Sequence, residues 1–203
     1  YSDIGLQESD FEPSEVDFDN SGRIFAALTG ELQGVVVLDS IDAVSYDMVV
    51  PSNVTAGAVD YYTEQIITID RNSDVLYVPA MSSSQELVLL AFGLDELSAS
   101  PEVYNLSADM PSTFASDWIA MGVDSSGHLY VMESPDGSII YKLDLSLPAG
   151  SRVVDSVSFS DFTPTDMIVK DDKIYVGGTY SLLAGGPIRR YDLNLTQEGD
   201  DIT

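Results

Sequence analysis

Four acidic residues stand at comparable points along the chain. Glu15, Glu64, Asp117 and Asp166 each lie at, or just ahead of, a short run in which apolar and polar residues alternate. Carboxylates that face one another repel and raise one another's pKa unless a cation neutralises them, and Ca2+ is the common oxygen-ligated partner. These four are therefore the candidate metal residues. The competing reading is that each solvates a loop before its strand, because a register shift of two residues would point any of them elsewhere.

A second oxygen-rich stretch is Asp17-Phe18-Asp19-Asn20-Ser21-Gly22. Asp17, Asp19 and Ser21 alternate as calcium-loop ligands do, with Gly at the bend. The ninth and twelfth positions are Phe25 and Leu28, however, where such a loop needs an oxygen and a bidentate Glu. A tight turn explains Asp19 and Gly22 equally well.

Other chemistry is sparse. His128 is the single histidine and falls just after a turn, where the corresponding residues are Arg23 and Lys173; it is expected at the surface. No Gly-x-Ser-x-Gly elbow accompanies it, so a Ser-His-Asp triad has little support. Tyr61 and Tyr62, in an entry loop, and Trp118, on an inner strand, are candidate binding aromatics, with core packing as the alternative. Arg189 and Arg190 are candidate binding residues in a chain poor in positive charge. Neighbours in one strand point to opposite faces, so one of the two is expected to be exposed.

The elements that carry these residues repeat. Gly122–Glu133 (GVDSSGHLYVME) reads as a strand, an Asp-x-x-Gly turn and a second strand. The phrase recurs at 16–27, at 67–79 and, with a shortened turn, at 167–178. Ile24, Leu76, Leu129 and Ile174 occupy equivalent places, about 50 residues apart, the period of a four-stranded meander arranged as a propeller blade. The fold expected is all-β: a β-propeller of four-stranded antiparallel blades, four in this chain. The whole chain, 1–203, is read as one domain with blades at 14–50, 61–107, 115–159 and 164–203.

The last blade appears one strand short in the sequence. Asp10-Phe11-Glu12-Pro13 matches Asp161-Phe162-Thr163-Pro164, which precedes the fourth inner strand. Residues 3–9 are thus expected to supply an outer strand to the last blade and close the ring. The alternative is a portion of a six- to eight-bladed ring. In either case the inner-strand starts converge on an axis, where the four acids would meet.

Gly122-Val-Asp-Ser-Ser-Gly-His-Leu-Tyr-Val resembles the signature of NHL-type and related YVTN-type β-propeller repeats. The resemblance spans all four copies. It implies the fold and leaves the activity open, since related propellers include protein-binding modules, metal-dependent lactonases, lyases and sensor ectodomains. Asp74 replaces the turn Gly in the second copy, and Lys170-Asp171-Asp172-Lys173 is shorter in the fourth.

Composition narrows the partners. Eight Lys+Arg against 34 Asp+Glu give a formal net charge of −26, which excludes nucleic acid and anionic membrane surfaces as natural partners. The absence of Cys removes disulfides, thiolate catalysis and cysteine zinc sites. The longest apolar run, Leu87–Leu94, is far too short to span a bilayer. A chain that starts at Tyr1 is expected to be a processed form, and its acidity suits a secreted, periplasmic or cell-surface setting. With no coherent catalytic set in view, the expectation is a non-enzymatic scaffold recognising a protein or surface polymer, with calcium as the one cofactor suggested. The rivals are a metal-dependent propeller hydrolase or lactonase using the axial carboxylates, and an assembly subunit that pairs through edge strands.

Overall fold

The computed structural model describes residues 12–29, 33–40, 47–110, 118–133, 138–179 and 186–202. Every element among them is a strand. Residues 3–9 and Asp117 lie outside the described residues. By internal contacts the chain divides into two compact units, 1–107 with 113–115, and 108–112 with 116–203.

The first unit holds two sheets. β1 (Glu12–Phe18), β2 (Ile24–Thr29), β3 (Gly34–Leu38) and β4 (Asp47–Pro51) form an antiparallel meander in chain order. The first turn works as its letters predict. Asp19 Oδ1 accepts from the amides of Ser21 and Arg23 at 2.9 and 2.8 Å, and Gly22 takes a φ of 88° that a side chain would resist.

The second sheet is larger than expected. β5 (Asn53–Ala56), β6 (Val59–Thr63), β7 (Thr68–Asp70), β8 (Val75–Ser82), β9 (Leu87–Gly93) and β10 (Glu102–Asn105) make six strands, in the order β10-β9-β8-β6-β5 with β7 also on β8. The added hairpin β5–β6 turns on Gly57-Ala58, between the paired Ala56 and Val59, with Gly57 at a φ of 66°. Tyr61 and Tyr62, expected in a loop, are therefore strand residues. A two-residue turn opening on Gly joins flanks that alternate as strands do, and the blade repeat masked that signal. Phe25, Val35, Leu76, Val78, Leu90 and Phe92 are buried in a common core with Val54 and Tyr61 of the hairpin. Each fully buried large side chain contributes about 1.5–3 kcal/mol.

The second unit holds β11 (Trp118–Val123), β12 (Leu129–Glu133), β13 (Ile139–Leu143) and β14 (Val153–Ser158) as one meander, and β15 (Thr163–Lys170), β16 (Lys173–Thr179) and β17 (Ile188–Asp192) as another. The shortened fourth turn joins the paired Lys170 and Lys173, with Asp171 and Asp172 both at positive φ (51° and 56°), the type I′ hairpin pattern. Gly122 is where β15 closes on β11: a Cβ there would lie 2.6 Å from Val169 Cγ2. Tyr130, Met132, Ile140, Met167, Ile174, Val176 and Tyr191 fill the core between these sheets.

Among the described residues the fourth sheet has three strands, β15-β16-β17, one short as the sequence led us to expect. Residues 196–202 run back along β17, exchanging amide bonds between Ile188 and Ile202 at 2.9 Å and donating from Glu198 N to Arg190 O at 2.7 Å. Only isolated bridges form, so the polar stretch Thr196–Asp201 carries no strand-like alternation to announce it.

Candidate functional site

The inner strands share an irregularity that the sequence does not display. In β1 the register slips between Pro13 and Glu15, in β11 between Trp118 and Ala120, and in β15 between Pro164 and Asp166. After each slip Glu15 faces Ala27, Ala120 faces Met132 and Asp166 faces Gly177. In the second sheet the inner strand is broken, with Thr63 opposite Ala80 but Thr68 opposite Tyr77, and inside the break Glu64 N donates to Pro79 O at 2.9 Å. Ala27, Pro79, Met132 and Gly177 are equivalent in the repeat. Glu15, Glu64, Ala120 and Asp166 therefore occupy one structural position, a bulge that re-aims a side chain. In the third blade that position belongs to Ala120, three residues beyond Asp117.

Within the first unit the segments that carry Glu15 and Glu64 are joined. The hydroxyl of Ser14, the residue displaced by the bulge, lies 2.5 Å from Gln65 O and 3.2 Å from Ala27 O, tying the β1 bulge to the segment that carries Glu64. Both carboxylates are half-buried. Tyr62, 52% exposed, stands two residues before Glu64, whereas Tyr61 is buried in the core. Asp166, in the second unit, is exposed and accepts from Met167 N at 2.7 Å.

The calcium-loop candidates point to other partners. Asp17 Oδ2 accepts from Ile69 N at 2.8 Å and its Oδ1 pairs with the Arg71 guanidinium, linking the first inner strand to the second. Asp19 receives Ser21 N and Oγ, Arg23 N and Arg23 Nε, the last at 2.6 Å. Burial works against its charge, but the bonds from Arg23 and Ser21 outweigh it and hold this carboxyl below its usual range. Asp17, Asp19 and Ser21 do not converge on one point, and among the described residues no three acidic or histidine side chains gather as a cation would require.

Arg189, offered as exposed or binding, is buried at 7% and clasped by Asp161 (2.8 Å) and Asp201 (3.2 Å), with Phe162 under its guanidinium at 4.5 Å. This explains the Asp-Phe-x-Pro phrase of the fourth blade: Asp161 pairs with Arg189, Phe162 supports it, and Pro164 leads into the bulge. Arg190 lies outward, 3.2 Å from Glu198, which also meets Lys173 at 2.6 Å.

The sequence gives no warning of a network around Asp124. Its buried carboxylate takes the amides of Ser126 and His128, His128 Nδ1 at 3.0 Å and Tyr130 Oη at 3.0 Å. Tyr130 Oη and Lys142 Nζ also converge on Leu193 O, at 2.9 and 2.8 Å. His128 is thus half-buried and engaged, where free exposure was expected. Burial pushes the Tyr130 phenol far up, reinforced by Asp124, so it stays a proton donor. A cavity of about 550 Å³ lined by Asp19, Ser21, Arg23, Asp74 and Asp95 lies at the turn end of the first two sheets, away from the bulges.

No protein-family profile matches the chain, and no curated protein matches. Among solved structures, a GH43 glycoside hydrolase engineered for both endo-xylanase and exo-arabinofuranosidase activity aligns with 95% of this chain at 11% identity and a TM-score of 0.53. The chain spans 41% of that enzyme's length. A PQQ-bound aldose sugar dehydrogenase from Streptomyces coelicolor covers 97% of this chain and 83% of its own, at 12% identity and a TM-score of 0.45. The extracellular domain of a hybrid two-component system from B. thetaiotaomicron covers 93% and 27%, at 12% identity and 0.43. The likeness to the hydrolase shows the fold, a β-propeller of antiparallel blades. It also corrects the expectation of a non-enzymatic scaffold, because this neighbour with the same fold is an enzyme.

Proposed function

We propose that this chain is a propeller hydrolase, or the part of one that carries reactive carboxylates, acting on a sugar-derived substrate. The observation that supports this reading best is the recurrence of an acid at one bulge, Glu15, Glu64 and Asp166, with the first two tied together through Ser14 and Gln65. Hydrolysis of a glycosidic bond asks for two carboxyl groups: one protonates the departing oxygen, and the other activates water or attacks the anomeric carbon. Glu15 and Glu64 are the pair we assign to these roles.

The neighbouring hydrolase acts as a xylanase and arabinofuranosidase, which suggests the substrates to try. The NHL-like repeat supports the propeller reading, and the charge of −26 supports an exported setting. The test is release of nitrophenol from 4-nitrophenyl β-xyloside and α-L-arabinofuranoside, and of reducing sugar from arabinoxylan. Glu15→Gln and Glu64→Gln are each expected to lower kcat by about 10²–10⁴-fold. Hydrolysis that neither variant slows, or no turnover on any of these substrates, would overturn the assignment.

A further inference from the structure

One element interrupts the blade repeat, and it leads straight into Glu64. The hairpin β5–β6 lies between the outer strand of the first sheet and β7 of the second. Tyr62 faces Met81, Thr63 faces Ala80, and Glu64 N bonds to Pro79 O, so the pairing of β6 with β8 continues in register as far as Glu64. Alternate residues of a strand share a face. Asp60, Tyr62 and Glu64 therefore lie on one side of this strand, with Tyr61 and Thr63 on the other.

The inner side of the hairpin is held fast. Val54 and Tyr61 are buried in the core, Ser83 N donates to Asp60 O at 2.8 Å, and Thr63 N donates to Ser52 O at 3.0 Å. The outer side sets Asn53 opposite Tyr62 and Thr55 opposite Asp60, with the Thr55 hydroxyl 2.7 Å from the Asp60 carboxylate. Asn53, Thr55, Asp60 and Tyr62 are all exposed. Of the aromatics singled out in the sequence, Tyr61 and Trp118 are buried at 8% and 3%, whereas Tyr62 is 52% exposed. The corresponding step of the first sheet holds Glu12 opposite Thr29, and that of the fourth holds Thr163 opposite Thr179. The repeat does not demand an aromatic here.

We propose that the outer face of β5–β6 is a platform for a neutral sugar chain, with Tyr62 stacking on one ring and the Asn53 amide bonding its hydroxyls. Tyr62 and Glu64 are two residues apart, about 7 Å along the strand, which sets this ring next to the one held at Glu64. The apolar C–H face of a sugar suits an aromatic surface on a rigid strand, and its hydroxyls suit an amide that both donates and accepts. The net charge of −26 turns anionic polymers away, so neutral chains are the class that fits. The inference rests on the sugar-hydrolase reading and extends recognition beyond the scissile bond.

The full chain is titrated by calorimetry with xylotetraose and with arabinotriose, and its KM on arabinoxylan is measured alongside. Tyr62→Ala is expected to weaken Kd and raise KM by about tenfold or more, while Tyr62→Phe, which keeps the ring, binds as the wild type does. Tyr62→Trp places an indole on the platform, and its emission is expected to shift to the blue as the bound sugar saturates. That readout does not depend on the alanine variant folding. Turnover without measurable binding, a Kd indifferent to Tyr62→Ala, or Tyr62→Trp emission unmoved at saturation overturns the platform and leaves the hydrolase reading to its own assay. Binding that Tyr62→Ala weakens, with no turnover of any substrate, supports the platform and removes the hydrolase reading. Neither binding nor turnover removes both.

Discussion

Among single residues, Asp124 and Arg189 carry the clearest energetic weight. Burial raises the pKa of Asp124, but the His128 and Ser126 amides, the Tyr130 hydroxyl and the His128 ring together hold it below the ordinary carboxylate value. A carboxyl whose folded-state pKa is depressed contributes stability above its unfolded value, near 3.9, and that contribution fades as pH falls through the folded value. Asp124→Asn should therefore destabilise the chain at pH 7 and flatten the loss of stability below about pH 4, as read by urea denaturation across pH. An unchanged acid limb would contradict this. Arg189→Met leaves the mostly buried Asp201 carboxylate facing an apolar side chain. Because Asp161 is well exposed, the loss should be about 2–3 kcal/mol, below the full cost of breaking a buried pair. A loss under half a kcal/mol in chemical denaturation would show that the clasp is incidental.

For the strands, the sequence revealed the repeat but not the register. Asp-x-x-Gly followed by alternating apolar residues placed β2, β8, β12 and β16 within a residue or two, because turn chemistry and burial of one face are local demands. The bulges were hidden, since the slip after Ser14, Ile119 or Thr165 depends on the neighbouring strand and on no particular letter. For that reason Asp117 looked equivalent to Glu15 and Asp166, while Ala120 is the residue that stands there. The hairpin β5–β6 escaped notice because it interrupts the blade period. Glycine marks where strands are forced close: a Cβ at Gly178 would fall 2.4 Å from Thr163 O and 2.5 Å from the Phe162 ring. Gly178→Ala should cost about 2–3 kcal/mol through overpacking against backbone, visible as a lower urea midpoint. Tolerance of alanine there would contradict the close approach of β15 and β16.

Across the whole molecule, charge is the dominant fact. Eight basic residues against 34 acidic ones leave strong self-repulsion, and several of the cations are already engaged: Arg23 with Asp19, Arg71 with Asp17, Arg189 with Asp161 and Asp201. Screening relieves more repulsion than it costs in ion pairs, so the unfolding midpoint should rise between 10 and about 500 mM NaCl. A midpoint that falls with salt would mean that the ion pairs outweigh the repulsion. The fold was legible as repeated sheets because it rests on such distributed features. The activity was not, because a function resides in particular juxtapositions, such as the one we propose between Glu15 and the segment of Glu64.

The reading of Glu15 and Glu64 as one reacting pair is tested most directly by a double-mutant cycle in kcat on the arabinofuranoside. Residues that act as a unit lose activity together, so Glu15→Gln/Glu64→Gln should be about as slow as the slower single variant. Single losses that multiply in the double variant, or a double variant as fast as the wild type, would contradict it.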